Sequence, residues 1–314
     1  MAKILIIGGG AAGMAAAAFL GEHGHQVHVF EKNEKLGKKL FITGKGRCNL
    51  TNSCDEETFF QSVVSNEKFL YSAFHGFSNE DAIAYFEQLG LPLKEERGGR
   101  IFPKSDHSSD VIKALEQRMK ELDVKIHLNS LVKEILLQET DEGQKKVTGV
   151  LLENGQKIVG DKVIVATGGM SYQATGSTGD GYEFAKQAGH KVTTLRSALV
   201  PMETKEEYIP RMQGLSLKNV RFTVKDGKKV LYQDFGELLF THFGMSGPLV
   251  LTASSYLGKK LEKKELQGTI DLKAALTEEQ LDARLLREFE AGKNKQFKNC
   301  LLYTSDAADD RISV

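Results

Sequence analysis

The sequence predicts an α/β fold on a parallel sheet, and three stretches in its first thirty-one residues carry that expectation. An apolar run, Lys3-Ile-Leu-Ile-Ile7, ends in Gly8-Gly-Gly10. Ala11-Ala-Gly13 then opens a helix of small residues, and a second apolar run, Val27-His-Val-Phe30, stops at Glu31. Each part meets a need of holding a dinucleotide. Gly8 permits the tight turn, Gly10 lets the backbone approach a pyrophosphate, and Gly13 with Ala17 lets the helix lie close on the sheet. Ala12 sits in the helix's first turn, whose free N–H groups and positive dipole end suit phosphate. Glu31, with Lys32 beside it, stands at about the 20-residue offset where such folds set an acid against the adenosine ribose hydroxyls. A glycine-rich turn of some other α/β protein is the competing explanation, and the joint offsets of strand, helix and acid argue against it.

The elements then follow in order. Leu36 to Ser53 reads as a polar loop rich in Gly, Lys and Asn. Ser78-Asn-Glu-Asp81 starts a helix with Ile83, Phe86 and Leu89 on one face, stopped by Gly90 and Pro92. A second helix covers Ser108 to Leu122, with Val111, Leu115 and Met119 at helical spacing. Val124–Leu128, Leu131–Leu137, Lys146–Glu153 and Gln156–Val159 are short strands with turn signals at Asp141-Glu-Gly143 and Asn154-Gly155. Together they predict an antiparallel β-meander. Lys162-Val-Ile-Val-Ala166 reads as a further buried parallel strand closing on Thr167-Gly168-Gly169, and Gly179-Asp180 opens another helix. From Val192 the alternating segments Arg221–Val224, Lys229–Tyr232 and Glu237–Phe240 predict an inserted β-barrel. Thr277-Glu-Glu-Gln280 is a capping box that starts a helical piece. The expected domains are therefore a Rossmann-like domain over 1–191, a barrel over 192–275 and the start of a helical subdomain over 276–299. Cys300–Val314 breaks the preceding helical pattern and is expected to be a non-native tail, resembling a translated sequencing adapter, with the natural gene cut near Asn299.

Bulk properties exclude several classes. The chain of 314 residues carries 42 basic and 42 acidic groups, so no global charge favours nucleic acid or an anionic membrane. Glycines interrupt the apolar stretch Ile4–Leu20, which excludes a signal peptide or a membrane span. Three cysteines without paired spacing fit a reducing cytoplasm and no zinc site.

Outside the N-terminus the strongest chemical signal is Thr43-Gly-Lys-Gly-Arg-Cys-Asn-Leu-Thr-Asn52. N–H groups freed by Gly44 and Gly46 can cradle phosphate or face a flavin ring. Asn49 can satisfy polar ring atoms, and Arg47 can stabilise negative charge on a reduced flavin. Cys48 is a candidate redox or nucleophilic thiol beside Arg47 and Lys45, although a small buried side chain is the commoner role for a lone Cys. Thr167, Gly168, Gly169, Gly179 and Asp180 point toward the crevice at the carboxyl ends of the strands. Asp180 suits ribityl hydroxyls and equally suits a helix N-cap. His242, within Phe240-Thr-His-Phe-Gly-Met-Ser-Gly-Pro248, is a candidate proton carrier, against the commoner case of a histidine satisfied inside a barrel loop.

These motifs, with Gly99-Arg-Ile-Phe-Pro103 and Gly176–Tyr182, resemble the BaiN-like (YhiN-like) bacterial flavoproteins, FAD-dependent oxidoreductases some of which carry aminoacetone-oxidase naming. The resemblance runs to about residue 299. It implies an FAD-binding Rossmann-like domain, an inserted β-barrel and a small helical subdomain, with a C-terminal return to the FAD domain that this sequence does not carry. The expected activity is hydride transfer between FAD and a small-molecule substrate, with NAD(P)H as a transient electron donor or oxygen as acceptor. Unsaturated steroid-like ketones and amines are the two substrate types the resemblance allows. Two other readings stand beside it. One is a flavin- or nucleotide-binding module without turnover. The other is an RNA-modifying flavoprotein, which needs a basic face that the neutral charge does not supply.

Overall fold

The computed structural model describes residues 1–140 and 143–294. They form two units, Met1–Thr193 and the part from Thr194 onward. In the first unit the elements run β1 (Lys3–Ile7), α1 (Ala11–Glu22), β2 (Gln26–Phe30), α2 (Lys38–Ile42), β3 (Thr51–Asn52), α3 (Glu56–Gln61), α4 (Tyr71–Gly76), α5 (Asn79–Gln88), β4 (Leu93–Glu96), β5 (Arg100–Pro103), α6 (Ser108–Glu121) and β6 (Lys125–His127). They continue through β7 (Val132–Glu139), β8 (Lys145–Leu152), β9 (Lys157–Val159), β10 (Lys162–Val165) and α7 (Asp180–Gln187).

The parallel sheet has the order β10-β1-β2-β6. Because side chains alternate along a strand, β1 feeds two cores. Ile4 and Ile6 pack with Met14 and Ala17 of α1 and with Val111, Leu115 and Met119 of α6. Leu5 and Ile7 pack on the opposite face with Val132, Ile135, Val150 and Phe184. Helices α1 and α6 therefore cover one face of the sheet, and the β7-β8-β9 meander with Phe184 of α7 covers the other. Ser78 and Asp81 form the anticipated capping box at the start of α5. Such caps stabilise by about 1 kcal/mol.

Three expectations change. The Val124–Leu128 segment belongs to the parallel sheet, where β6 pairs with β2 (Val29 opposite Ile126), and the meander has three strands. The long apolar face of α6, docked against α1 and the sheet, brings the chain back parallel to β2. β10 is parallel as anticipated but lies at a sheet edge among the described residues, with Val165 exposed. The polar loop after Leu36 contains α2 and a turn at Thr43–Gly46 that is left-handed at Gly44 and Lys45, and two further short helices, α3 and α4, follow it. Of the predicted turn at Asp141-Glu-Gly143, the first two residues lie outside the described part, as does the whole of the suspected tail from Cys300.

The second unit contains β11 (Met202–Glu203), β12 (Ser216–Asp226), β13 (Lys229–Phe240), β14 (Gly244–Ser246), α8 (Pro248–Leu261), β15 (Gln267–Asp271) and α9 (Glu278–Ala291). Its antiparallel sheet, β11-β14-β13-β12-β15, is an open half-barrel with two edges. The segments Lys229–Tyr232 and Glu237–Phe240 are one long strand rather than two. Leu249, Val250, Ala253 and Leu257 of α8 pack against Val220, Phe222, Leu238 and Phe240 on one face of this sheet. The Thr277–Gln280 capping box starts α9.

Candidate functional site

The carboxyl ends of β1, β2 and β10 open into a cleft of about 970 Å³ in the first unit. That volume sits at the upper end of the roughly 300–1,000 Å³ typical of ligand and cofactor sites. The glycines of the first turn divide their work. Gly8 has φ +105°, and a Cβ there would stand 2.5 Å from the Ala166 carbonyl oxygen at the end of β10. A Cβ on Gly13 would overlap the Gly8 carbonyl oxygen, so α1 depends on that residue to lie against the turn. Gly10 is different: a Cβ there meets nothing within 4 Å, because the residue borders the cleft. Gly10 is also the N-cap of α1, with no side-chain cap and no acid in the first turn. The free N–H groups of α1 therefore open on the cleft beside Ala11 and Ala12, as an anion site requires.

Glu31 lines the same cleft although it is 8 % exposed. Its Oε2 accepts from the Gly9 N–H at 2.8 Å, and its Oε1 accepts from the Asn33 N–H at 2.8 Å and the Asn33 side-chain amide at 2.6 Å. A carboxylate offers about four lone-pair sites, so acceptor capacity remains for a ribose hydroxyl. Lys32 donates to Asp180 at 2.7 Å and to Thr178 at 2.6 Å, tying the end of β2 to the start of α7. Burial works against the charge of Asp180, but the hydrogen bonds from Lys32 and Thr178 outweigh it and hold the carboxyl below its usual range. Gly179, with φ +92°, is the N-cap of α7, so the N-cap alternative for Asp180 does not apply.

The Thr43–Asn52 segment docks on the β4–β5 hairpin. Leu50 N–H donates to the Ile101 carbonyl at 2.8 Å, and Ser53 N–H donates to Gly99 at 2.8 Å. The two sequence oddities, Gly-Arg-Cys-Asn and Gly99–Pro103, are thus paired neighbours. Asn49 lines the cleft, and its amide nitrogen is oriented to donate to Thr51 and Ile101 carbonyls at 3.1 and 3.3 Å. Its amide oxygen is then left for a ligand. Arg47 does not line the cleft. Its guanidinium pairs with Glu96, donates to Asp106 at 2.8 Å, and lies 4.2 Å from the centroid of Phe102. Lys94 joins the cluster through Asp106 at 2.6 Å. These bonds hold the Glu96 and Asp106 carboxyls below their usual range. The structure thus casts Arg47 as the clamp that fixes the loop, in place of the flavin contact anticipated for it.

Cys48 is buried against the cleft wall at φ +59°, and burial pushes its thiol up. A protonated, packed thiol fits the commoner of its two readings. Gly44 and Gly46, with φ of +56° and +83°, turn the chain and do not line the cleft. Thr167 and Gly168 line the cleft, whereas Gly13, Gly169 and Gly179 lie behind it. His242 belongs to the second unit. It is exposed in the turn between β13 and β14, with its ring edge-on to Phe243 at 4.9 Å.

The sequence reading missed several cleft residues. Asn33, Lys38 and Lys39 follow directly on the acid that marked the motif, and Ser130–Val132 follow β6. Phe59, Leu70, Phe74, Phe77 and Phe86 also line it. The density of phenylalanine between residues 59 and 86 was the available signal for these.

Residues 2–288 match the family described as HI0933-like protein Rossmann domain. The chain belongs to this family. It is the BaiN/YhiN-like flavoprotein family that the motifs resemble. One HI0933-like relative, the 3-dehydro-bile acid delta(4,6)-reductase of Clostridium scindens, is 33 % identical over 274 residues, covering 86 % of this chain and 64 % of the relative. The ribosomal RNA dihydrouridine synthase of Haemophilus influenzae is 35 % identical over 254 residues, covering 80 % of this chain and 61 % of the relative. The chain thus spans a little under two thirds of the length of these curated relatives. Among solved structures, the 3-ketosteroid delta1-dehydrogenase of Sterolibacterium denitrificans aligns with a TM-score of 0.48 at 15 % identity, over 69 % of this chain and 62 % of that one.

Proposed function

We propose that the cleft of the first unit holds FAD and that the protein is a flavin-dependent oxidoreductase. The observation that carries this is the shared cleft: the Gly8–Ala12 cradle, the Glu31 carboxylate and the Cys48–Asn49 turn line one cavity. The uncapped N-terminus of α1 suits the pyrophosphate, Glu31 the adenosine ribose, and the Asn49 amide oxygen a ring N–H. FAD, when bound, supplies hydride transfer at its ring N5. The chain's own residues orient and enclose: Lys32–Asp180 braces one rim, and the Arg47 cluster keeps Cys48 and Asn49 at the wall.

The reaction best supported is reduction of a carbon–carbon double bond conjugated to a carbonyl in a small organic molecule. The names of both relatives describe that change, one on a bile acid and one on uridine in RNA. NAD(P)H is the proposed electron donor, binding transiently because one dinucleotide fingerprint is present. The RNA-named relatives favour a second reading, with the same chemistry on a uridine. The cleft lysines argue against it: Lys32 pairs with Asp180, Lys38 with Asn33 and Glu34, and Lys39 with Ser171.

The test is to produce the full-length protein and record its absorbance. A yellow protein bleached by anaerobic NADH or NADPH, and re-oxidised by a cyclic enone, is expected. A colourless preparation that gains no flavin signal from added FAD overturns the assignment. Retention on heparin at moderate salt moves the substrate to RNA.

A further inference from the structure

We propose that His28 and His127 position the adenosine end of the cleft, and that protonating this pair weakens dinucleotide binding there. The inference deepens the flavin reading and rests on it. β6 is an edge strand among the described residues, and the chain at its end builds the wall beside Glu31. The Glu31 N–H donates to the His127 carbonyl at 2.9 Å, and the Ser130 N–H donates to the Glu31 carbonyl at 2.9 Å. The Asn129 N–H donates to the Asn33 carbonyl at 3.0 Å. Glu31, Asn33 and Ser130 all line the cleft. The His127 ring also stacks on Phe30, with 4.7 Å between centroids and 8° between planes, and Phe30 lines the cleft too. Its other ring neighbour is His28, at 5.3 Å and 5°. The imidazole pair and the cleft wall are thus one aromatic stack.

The pair shares one hydrogen bond, between His28 Nδ1 and His127 Nε2 at 3.1 Å, which uses one N–H and one lone pair. If that bond is kept, either ring can carry an added proton, and in both cases His28 Nε2 becomes an N–H. That nitrogen is buried without a hydrogen-bond partner, so its proton would be left unsatisfied. Charge acts in the same direction. Lys3 of β1 repels a proton on either ring, and Lys125 of β6 repels one on His28. The neighbouring acids are held elsewhere: Asp161 accepts from the Lys3 N–H at 2.7 Å, and Asp123 pairs with Lys125 at 2.6 Å. Burial first, and then these cations, hold both imidazoles below the ordinary histidine value. Parting the rings relieves the added charge, and His127 then draws away from Phe30 and Glu31. Proton and dinucleotide therefore compete, each weakening the other by the same factor.

The experiment uses the full-length protein, titrated with FAD by flavin fluorescence and with ADP-ribose by calorimetry. ADP-ribose carries the adenosine end alone, and its pyrophosphate keeps its charge across the range. Titrations run at about pH 7.5 and about pH 5.5, on either side of the ordinary histidine value. Circular dichroism checks at each pH that the chain is folded. Wild type is expected to bind both ligands about five- to tenfold more weakly at the lower pH. His28→Phe with His127→Phe keeps an aromatic stack without the titrating nitrogens, and its affinities should agree within about twofold. A second reading needs no variant: saturating ADP-ribose should lower the NMR titration midpoints of both wild-type rings by about 0.7 to 1 pH unit. A merely structural pair leaves those midpoints unmoved. Binding of ADP-ribose that ignores pH, unmoved midpoints, or a pH effect kept by the double variant each overturns the inference and leaves the flavin reading standing. A protein that binds neither ligand at either pH overturns both.

Discussion

Two glycine-rich turns serve the cleft, one lining it and one not, and they use glycine differently. In Gly8–Gly13 the missing side chains make room: Gly13 touches the Gly8 carbonyl, Gly8 approaches Ala166, and Gly10 leaves open space where a ligand belongs. In Gly44–Gly46 the gain is conformational. Both glycines sit at positive φ, and a Cβ on Gly46 would meet nothing. The first turn is held by close packing and the second by charge, through Arg47 with Glu96 and Asp106. At Gly13 the packed turn tolerates no added atom, while at Gly46 the charge-clamped turn has space for one and depends instead on its clamp.

The largest effect should come from Gly13→Ala, whose methyl overlaps the Gly8 carbonyl. Overpacking of a rigid backbone site costs about 1–3 kcal/mol. The denaturation midpoint should fall accordingly, with loss of flavin retention, and an unshifted midpoint would break the contrast. Gly10→Ala separates binding from folding. Its φ of −81° suits alanine and its space is open, so the apoprotein should stay within about 1 kcal/mol of wild type. FAD affinity should nevertheless drop more than tenfold in a flavin titration.

Arg47→Ala tests the charge clamp. The expected result is a severalfold loss of FAD affinity and faster amide exchange over residues 44–49, with the parallel sheet's protection unchanged and partial rescue by Arg47→Lys. A sheet-wide loss of protection would show that the clamp supports the fold instead of the loop.

The smallest effect concerns pH, and it too divides the two regions. Behind the first turn, His28 Nδ1 and His127 Nε2 lie 3.1 Å apart in stacked rings on β2 and β6. Burial and nearby Lys3 lower both pKa values, and for His28 the neighbouring His127 adds to this. Protons then bind the unfolded chain first. Stability is full above the unfolded value of about 6.5 and declines as pH falls below it. Glu96 and Asp106 follow the same sign in a lower window: their depressed values keep the clamp charged until pH falls below about 4. Between pH 7 and 5 a melting series should therefore show a decline that His127→Phe reduces, His28→Phe with His127→Phe removes, and Arg47→Ala leaves in place.

Much of the first unit was legible because local chemistry and tertiary role coincide there. The β1 run, the glycine spacing, Glu31 and the Ser78 cap all specify their neighbours within a few residues. The function of Arg47 was not legible, because its partners Glu96 and Asp106 lie some fifty residues away and nothing local announces them. β6 reads as a meander strand in the sequence because a three-residue strand carries no mark of parallel pairing; the packing of α6 decides it. The aromatic wall escaped for another reason. Its short helices, α3 and α4, lack a clean helical stripe, since their rings face the cleft and one another rather than a single core.

The crossover from β2 to β6 joins two adjacent, hydrogen-bonded strands, yet it detours through residues 31–124 before returning. Ends fixed side by side make such a detour inexpensive to lengthen, since closure entropy grows only with the logarithm of loop size. The length of the phenylalanine-bearing stretch can accordingly change at little cost to the pairing of β2 with β6. A chimera exchanging residues 53–77 alone should inherit its donor's ligand preference and its host's flavin affinity.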